Sequence, residues 1–428
     1  MFRDPESPRS LHWSQIGRGL DAYVGHVREF RRNARLYLAH TVLTGVAFGI
    51  FRLLFNFYAL GLGYDESFLG TLITVSSLAA LLAALPAAWL SDRLGRRPAL
   101  VAASLGMTLS TVGMVLFPER SGLLAMSVLQ GLAQSLGGVT LGPFLMENSS
   151  ERERTYLFSF SMGLQMVAGF AGNWLGGRLP AWLGAATDLE PTSAAAYALS
   201  LLAVAAIALA SAAPLALMSS PARPGEQKGP YLSPFAFARR QPALLWRLVS
   251  PMLVTSLGAG LFMPFMNVFF RTVHGSSDAA IGSLFALGSL SMAVGFLVAP
   301  PLADRYGKVT FVVVTQALSI PFMLALGFSP LLWIGAGAYL ARLGLMNMSN
   351  PVYQTFVMER VEPEARATVA SLTSMAWNVG WAFSPTISGW LQVHHGFRPV
   401  FSAAALVYCL AIFMYFRFFW HDRHAGPS

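Results

Sequence analysis

Two arginines stand where charge is costly. Arg52 lies in "FGIFRLLFNF" (48–57) and Arg342 in "AYLARLGLMN" (338–347). A guanidinium at the centre of an apolar membrane helix costs at least ~2.5–3.5 kcal/mol on insertion scales. Such a group faces a wet cavity or pairs with an acid. All 20 Asp and Glu fall in tails, loops or the ends of apolar runs, so no acid matches either arginine in depth. An unpaired pair of this kind makes a positive site. Its planar forks suit carboxylate or phosphate, and it favours an anionic or strongly hydrogen-bonding solute. A plainer role stays open: each arginine bonds backbone carbonyls and amide neighbours as structural glue, or one snorkels.

Further polar residues recur in the same kind of stretch. Asn56 is one helical turn from Arg52, Gln130 and Gln134 share a face, Asn267 follows Met263 by one turn, and Asn350 lies two turns beyond Arg342.

A second group of charges sits in short turns. "LSDRLGRRPAL" (90–100) places Asp92, Arg93, Gly95 and Arg96 between long apolar runs, and "LADRYGKVTFV" (302–312) places Asp304, Arg305, Gly307 and Lys308 likewise. Glycine permits the positive φ of a tight turn. Arginines anchor such a loop on one side of a membrane. The acids need more, because an acid at the end of a hydrophobic helix is costly unless paired or set at a helix N-terminus. Glu147 with Arg154, and Glu359 with Arg366, fall on the same side and supply partners for a cluster.

The elements that position these residues follow from composition. The chain of 428 residues is 55% hydrophobic and 11% charged, against roughly 25% charged in soluble domains. Twelve apolar runs near 37–61, 66–90, 98–117, 122–146, 155–178, 194–217, 247–271, 279–303, 309–328, 330–357, 367–391 and 397–420 predict an all-α polytopic membrane protein. By rise per residue, Arg52 lies ~22 Å above one end of its span and Arg342 ~16 Å below the opposite end of its own, both near mid-depth. Of the 29 Lys and Arg, Arg120, Arg178, Arg271 and Arg398 fall on the side away from the termini. Arg52 and Arg342 lie within spans, and the rest lie on the side of the termini. That excess predicts cytoplasmic termini in a plasma (inner) membrane and accounts for the net charge of +9 without nucleic acid.

The organisation predicted is a cytoplasmic segment 1–36, a six-helix bundle 37–217, a proline-rich cytoplasmic loop 218–246, a second bundle 247–420 and a tail 421–428. Residues 20–31 carry apolar side chains at helical spacing and read either as an amphipathic helix on the inner leaflet or as a cytosolic lead-in. No secretory signal peptide is visible. Cys409, the single cysteine, sits in an apolar run and is expected to be buried. No metal-ligand cluster, phosphate loop or nucleophile triad appears, so neither enzyme chemistry nor a cofactor is expected.

The two halves repeat. At an offset of 212 residues Gly70 meets Gly282, Asp92 meets Asp304, Arg93 meets Arg305, Gly95 meets Gly307 and Arg96 meets Lys308. The same offset pairs Met146–Glu147 with Met358–Glu359, Arg154 with Arg366 and Gly177 with Gly389. The identities concentrate in charges and glycines. Parallel repeats of six spans are related by an axis along the membrane normal.

These motifs resemble those of the major facilitator superfamily (MFS) of secondary transporters. The family's D-R-x-G-R/K loop matches Asp92–Arg96 and Asp304–Lys308, and its Glu-x6-Arg pattern matches Glu147…Arg154 and Glu359…Arg366. The resemblance spans about residues 35–420. It implies a rocker-switch, alternating-access carrier, working as a monomer, whose charged clusters bridge the halves on the cytoplasmic face in the outward-open state. It also implies a central cavity lined by spans 1, 4, 7 and 10, hence by Arg52, Asn56, Gln130, Gln134, Asn267, Arg342 and Asn350. Span 5 resembles the antiporter motif at Gly172, Gly176 and Gly177, with Asn173 where proline is expected. This leans toward export by antiport, although close helix packing explains the same glycines. Ser127 replaces the basic residue of drug-efflux relatives, which argues against multidrug export. Coupling to a proton or a counter-solute is what the family allows; no mid-depth carboxylate supports a proton relay, and His40 is the one titratable histidine near span 1. Uptake, facilitated exchange and a lipid or lysolipid flippase on the same scaffold remain alternatives.

Overall fold

The computed structural model describes residues 32–149, 151–219, 239–362 and 366–420, without the side chains of 151–156, 159 and 366–368. The segments 20–31 and 421–428, and most of the central loop, therefore lie outside the described residues. The helices are α1 (Arg32–Gly61), α2 (Glu66–Leu94), α3 (Arg96–Leu116), α4 (Arg120–Glu147), α5 (Glu151–Gly176), α6 (Leu179–Thr187) and α7 (Ala194–Ala216). The second half contains α8 (Pro242–Phe262), α9 (Met266–Thr272), α10 (Asp278–Tyr306), α11 (Lys308–Phe328), α12 (Leu332–Glu359), α13 (Arg366–His395) and α14 (Phe397–Phe419). Among the described residues nine spans are long and apolar enough to cross a membrane. The helices α5, α12 and α13, of 26, 28 and 30 residues, are as long but more polar.

Local chemistry sets the helix ends. Asp65 accepts a hydrogen bond from the Phe68 N–H at 2.8 Å and so caps α2. Ser193 and Ser277 cap α7 and α10 in the same way. Gly95 and Gly307 turn the chain at φ +89° and +83°, as their turn sequences predict. Two departures from the sequence reading stand out. The connection after span 5 folds into the short helix α6, started by Pro180 and ended by Asp188 at φ 55°. Span 7, expected as one helix, breaks into a 3₁₀ turn at Met263–Phe265. Pro264 has no N–H to donate there, so the regular ladder cannot pass through it.

Packing repeats with the sequence. Helix α1 packs on α5 and α7, and its counterpart α8 packs on α13 and α14; α4 packs on α2 and α3, and α12 packs on α10 and α11. The halves meet at two equivalent seams, α2 on α13 and α5 on α10. Glycines set both. A Cβ on Gly177 would press on the Asp278 carbonyl and lie 2.9 Å from the Gly282 Cα; one on Gly389 would press on the Glu66 carbonyl and lie 2.9 Å from the Ser67 Cα. Asp278 and Glu66 are themselves one repeat apart. Gly282 against the Asn173 carbonyl, and Gly70 against the Pro385 carbonyl, form the other matched pair.

These seams lie toward the face away from the termini, here the distal face. One apolar core joins both halves there, running from Leu53 and Phe57 to Phe262, Phe269 and Tyr339. Toward the terminal face the cores separate. One, around Tyr37 and Phe144, belongs to the first half alone, and another, around Tyr353 and Phe356, to the second half alone. The halves are thus clasped distally and parted toward the termini. Cys409, contrary to the expectation from its apolar run, is exposed. It lines an outer groove between α11 and α14 with Ile320, Pro321 and Phe413, because α14 lies at the edge of its bundle with one face unpartnered.

Candidate functional site

The break in span 7 builds the distal clasp. The Asn56 side-chain amide donates to the Pro264 carbonyl at 2.8 Å and to Asn267 Oδ1 at 2.9 Å. Asn267 in turn donates to the Leu53 carbonyl at 2.7 Å. Both asparagines, expected to face solute, are buried, and their N–H donors are spent on one another's halves. In this conformation they close the distal side. A second tie lies further out: Arg271 pairs with Asp278 of its own half, while Tyr197 of the other half bonds to both. Phe57, also of the first half, stacks on the Arg271 guanidinium at 3.4 Å. Sequence reasoning missed this cluster, since nothing local links Tyr197 to a pair 81 residues away.

Arg52 lies one turn from Asn56 toward the termini, on the face of α1 that looks at the second half. It is exposed. It shares that face with Asn56, on the terminal side of the Asn56–Asn267 clasp. Tyr339 of α12, one turn from Arg342, packs against Phe270 and Phe285 of its own half.

Arg342 differs. It is 3% exposed, with the Phe262 ring at 4.4 Å and the Tyr408 ring at 5.0 Å from its guanidinium carbon. The Tyr408 hydroxyl engages it as well. Among the described residues its Nε and Nη2 have no hydrogen-bond partner. Desolvated cation–π contacts return ~2 kcal/mol or more, against a penalty of several kcal/mol for a buried ion. Arg342 is thus held in an aromatic box rather than on an open cavity wall. Phe262, Tyr339 and Tyr408 were not foreseen, since aromatics are ubiquitous in apolar spans and give no spacing signal.

The other sequence candidates divide. Gln130 is half-buried and Gln134 exposed, and among the described residues neither side chain bonds to another residue. Asn350 is half-buried and meets Asn347 at a long 3.4 Å. His40 is buried and held by the Ser211 carbonyl at 2.9 Å, a structural tie between α1 and α7.

The charged turns form clusters within each half. Arg96 reaches Asp92 at 2.5 Å, Glu147 at 3.0 Å and the Ser91 hydroxyl at 3.0 Å. Arg93 lies over Trp89 at 4.2 Å. In the second half Lys308 pairs with Glu359, and Arg305 lies over Tyr306 at 5.3 Å. Asp304 is exposed and, among the described residues, has no ion-pair partner. The Arg96–Glu147 pair thus recurs one repeat on as Lys308–Glu359, whereas the Arg96–Asp92 pair has no counterpart at Asp304 among the described residues. The side chains of Arg154 and Arg366 lie outside the described residues. Gly172 and Gly176 seat α5 on Val46 and Ile50 of α1, and Gly177 seats it on α10; Asn173 lends its carbonyl to the same crossing.

The description "Major Facilitator Superfamily" belongs to the family model that matches residues 37–385 and, again, 252–428. The chain belongs to that superfamily. A cis,cis-muconate transport protein of Acinetobacter baylyi is 28% identical over 36% of this chain, and the match covers 38% of that relative's length. The multidrug resistance protein MdtG of Proteus mirabilis is 23% identical over 88% of this chain and 93% of its own. Among solved structures, a bacterial homologue of the human lysosomal transporter Spinster, in an inward-facing and unoccupied conformation, has a TM-score of 0.77 at 17% identity. It covers 93% of this chain and 99% of its own, and shares its fold. Membership in the superfamily accounts for the doubled charged turns and the two equivalent seams together.

Proposed function

We propose that this superfamily member is a secondary transporter of small organic anions, carboxylates foremost, and that it works by exchange. The observation that carries this reading is Arg52, an exposed guanidinium one turn below the Asn56–Asn267 clasp, on the helix face that looks at the other half. With Arg342 in the facing half and no acid at that depth in the sequence, the central space is read as cationic. A carboxylate neutralises it, and Gln130 and Gln134 offer further donors. The relative from A. baylyi, a transport protein for a dicarboxylate, is consistent with this class.

Exchange follows from the same charges. An empty cationic cavity that closes must desolvate unpaired guanidinium, which is costly. An anion-filled cavity closes on a neutral pair. Return of the empty carrier is therefore the slow step, and a second anion speeds it. Antiport thus rests on the arginines, because the span-5 glycines are already accounted for by packing. Direction then depends on the gradients, and export is one of its modes. With twelve spans and the termini cytoplasmic, as the arginine distribution indicates, the parted side faces inward.

Proteoliposomes loaded with unlabelled benzoate test this reading. External labelled benzoate should accumulate faster than into empty vesicles by about tenfold, roughly the 1.4 kcal/mol expected of a partly compensated charge. Equal rates with and without internal anion would count against exchange, and no uptake of any carboxylate would end the anion reading.

A further inference from the structure

The two mid-span arginines present different surfaces. Arg52 is exposed, whereas Arg342 is 3% exposed and covered by two rings. The vacant atoms on Arg342 are Nε and Nη2. Those two form the side-on edge of the guanidinium, whose parallel N–H bonds accept a carboxylate bidentately. Tyr408 already engages the group, so the side chain is held while its forked edge is left empty. Glue to backbone carbonyls would fill that edge; among the described residues nothing does.

One of the two rings against the Arg342 guanidinium sits where the chain can move. Phe262 is the last residue of α8 before the 3₁₀ turn Met263–Phe265, and that turn carries the Pro264 carbonyl held by Asn56. Rearrangement of the clasp therefore displaces the residue that roofs Arg342. Tyr339, one turn from Arg342 on α12, is buried against Phe270 and Phe285.

Resting on the anion reading above, we propose that Arg342 is the second of two carboxylate stations. The carboxylate lands first on exposed Arg52 from the open side. As the halves close on it, the Phe262 ring swings aside and the carboxylate engages the Nε–Nη2 edge of Arg342, past the Tyr339 hydroxyl. Arg52 governs capture, and Arg342 governs passage through the occluded state. The solute class that both select is a planar carboxylate of modest size, because the second station is roofed by aromatic rings. A ring-bearing acid stacks on those rings as it arrives.

The test uses the purified full chain, benzoate as probe, and the variants Arg52→Gln, Arg342→Gln and Arg342→Lys. Thermal stabilisation by benzoate reports capture, and labelled-benzoate exchange in proteoliposomes reports passage. Arg52→Gln should weaken benzoate affinity by about tenfold or more, whereas Arg342→Gln should leave it within about threefold. Both Arg342 variants should slow exchange by about tenfold or more, since lysine keeps the charge but lacks the fork. Arg342→Lys also decides the matter if the glutamine variant does not fold. Exchange by Arg342→Lys at the parental rate, or equal loss of affinity in Arg52→Gln and Arg342→Gln, would overturn the two-station assignment and leave the anion reading standing. Absence of any benzoate effect on the parent chain would overturn both.

Discussion

Gly177 and Gly282 cross so closely on the distal face that a Cβ added to Gly177 would lie 2.9 Å from the Gly282 Cα. The repeat supplies the same crossing elsewhere, with Gly389 over Ser67 and Glu66 and with Gly70 under Pro385. Closing the distal side thus depends on the absence of four side chains at two symmetric points.

Gly177→Ala or Gly389→Ala should therefore favour the distally open state. Overpacking costs about 1–3 kcal/mol, so the closed-to-open ratio should fall by roughly five- to a hundredfold. Distances between spin labels on the distal ends of the two halves measure this directly. An unchanged distance distribution in either variant would show that the seam relaxes without opening.

Asn56→Ala removes two hydrogen bonds across the halves; the Pro264 carbonyl loses its Asn56 donor, while Asn267 Oδ1 keeps the Val268 N–H. Each bond is worth about 0.5–1.5 kcal/mol. The distal side should open in the same direction as with the glycine variants, while the melting temperature of detergent-solubilised protein falls little. A large loss of stability without a change of state would recast this pair as core packing.

Asp92→Asn separates the two roles of the charged turn. The pair with Arg96 is largely solvent-exposed on the acid's side, and such pairs contribute about 0–1 kcal/mol. Insertion and stability should hold, while transport per inserted molecule changes several-fold if Asp92 meets the other half in the distally open state. Asp304, which stands unpaired, should give a smaller effect on stability and a comparable one on transport. Parental transport in both variants would reduce the turns to topology.

His274 should make the distal closure pH-sensitive. It lies in the connection between α9 and α10, packed on Phe269 and Phe270, with both ring nitrogens buried and, among the described residues, unpartnered. Burial holds its pKa below the ordinary histidine value. The closed state therefore carries no penalty well above about pH 6.5, and loses stability as the pH falls through the value of the exposed ring. Acidifying the distal side from about pH 7.5 to 5.5 should open it, and His274→Gln should remove the response. A response that persists in that variant would place the sensor elsewhere.

Much of this was legible in the sequence, for physical reasons that differ by feature. Long apolar runs can only be helices in lipid, so the spans were readable to within a few residues. The repeat was readable because glycines and charges at a fixed offset are rarely interchangeable; of the glycine pairs it marked, Gly70 with Gly282 and Gly177 with Gly389 proved to be crossing points, and Gly95 with Gly307 proved to be turns. The break at Pro264 was less legible, because membrane helices tolerate proline. The fate of Asn56 and Asn267 was not legible at all: polarity in a span says that a partner exists, and only the fold shows that each is the other's. The same limit hid the box around Arg342, whose depth was clear and whose aromatic cover was not.

The central claim is a cationic vestibule that binds carboxylates. The most direct measurement is the thermal stability of the purified protein with benzoate, with its neutral isostere benzamide, and with the lipophilic cation tetraphenylphosphonium. Ligand that binds the folded state at about a hundred times its Kd raises stability by about 2.7 kcal/mol. The account predicts a dose-dependent rise with benzoate, none with benzamide, and loss of the benzoate effect in Arg52→Gln. Stabilisation by tetraphenylphosphonium alone would contradict it.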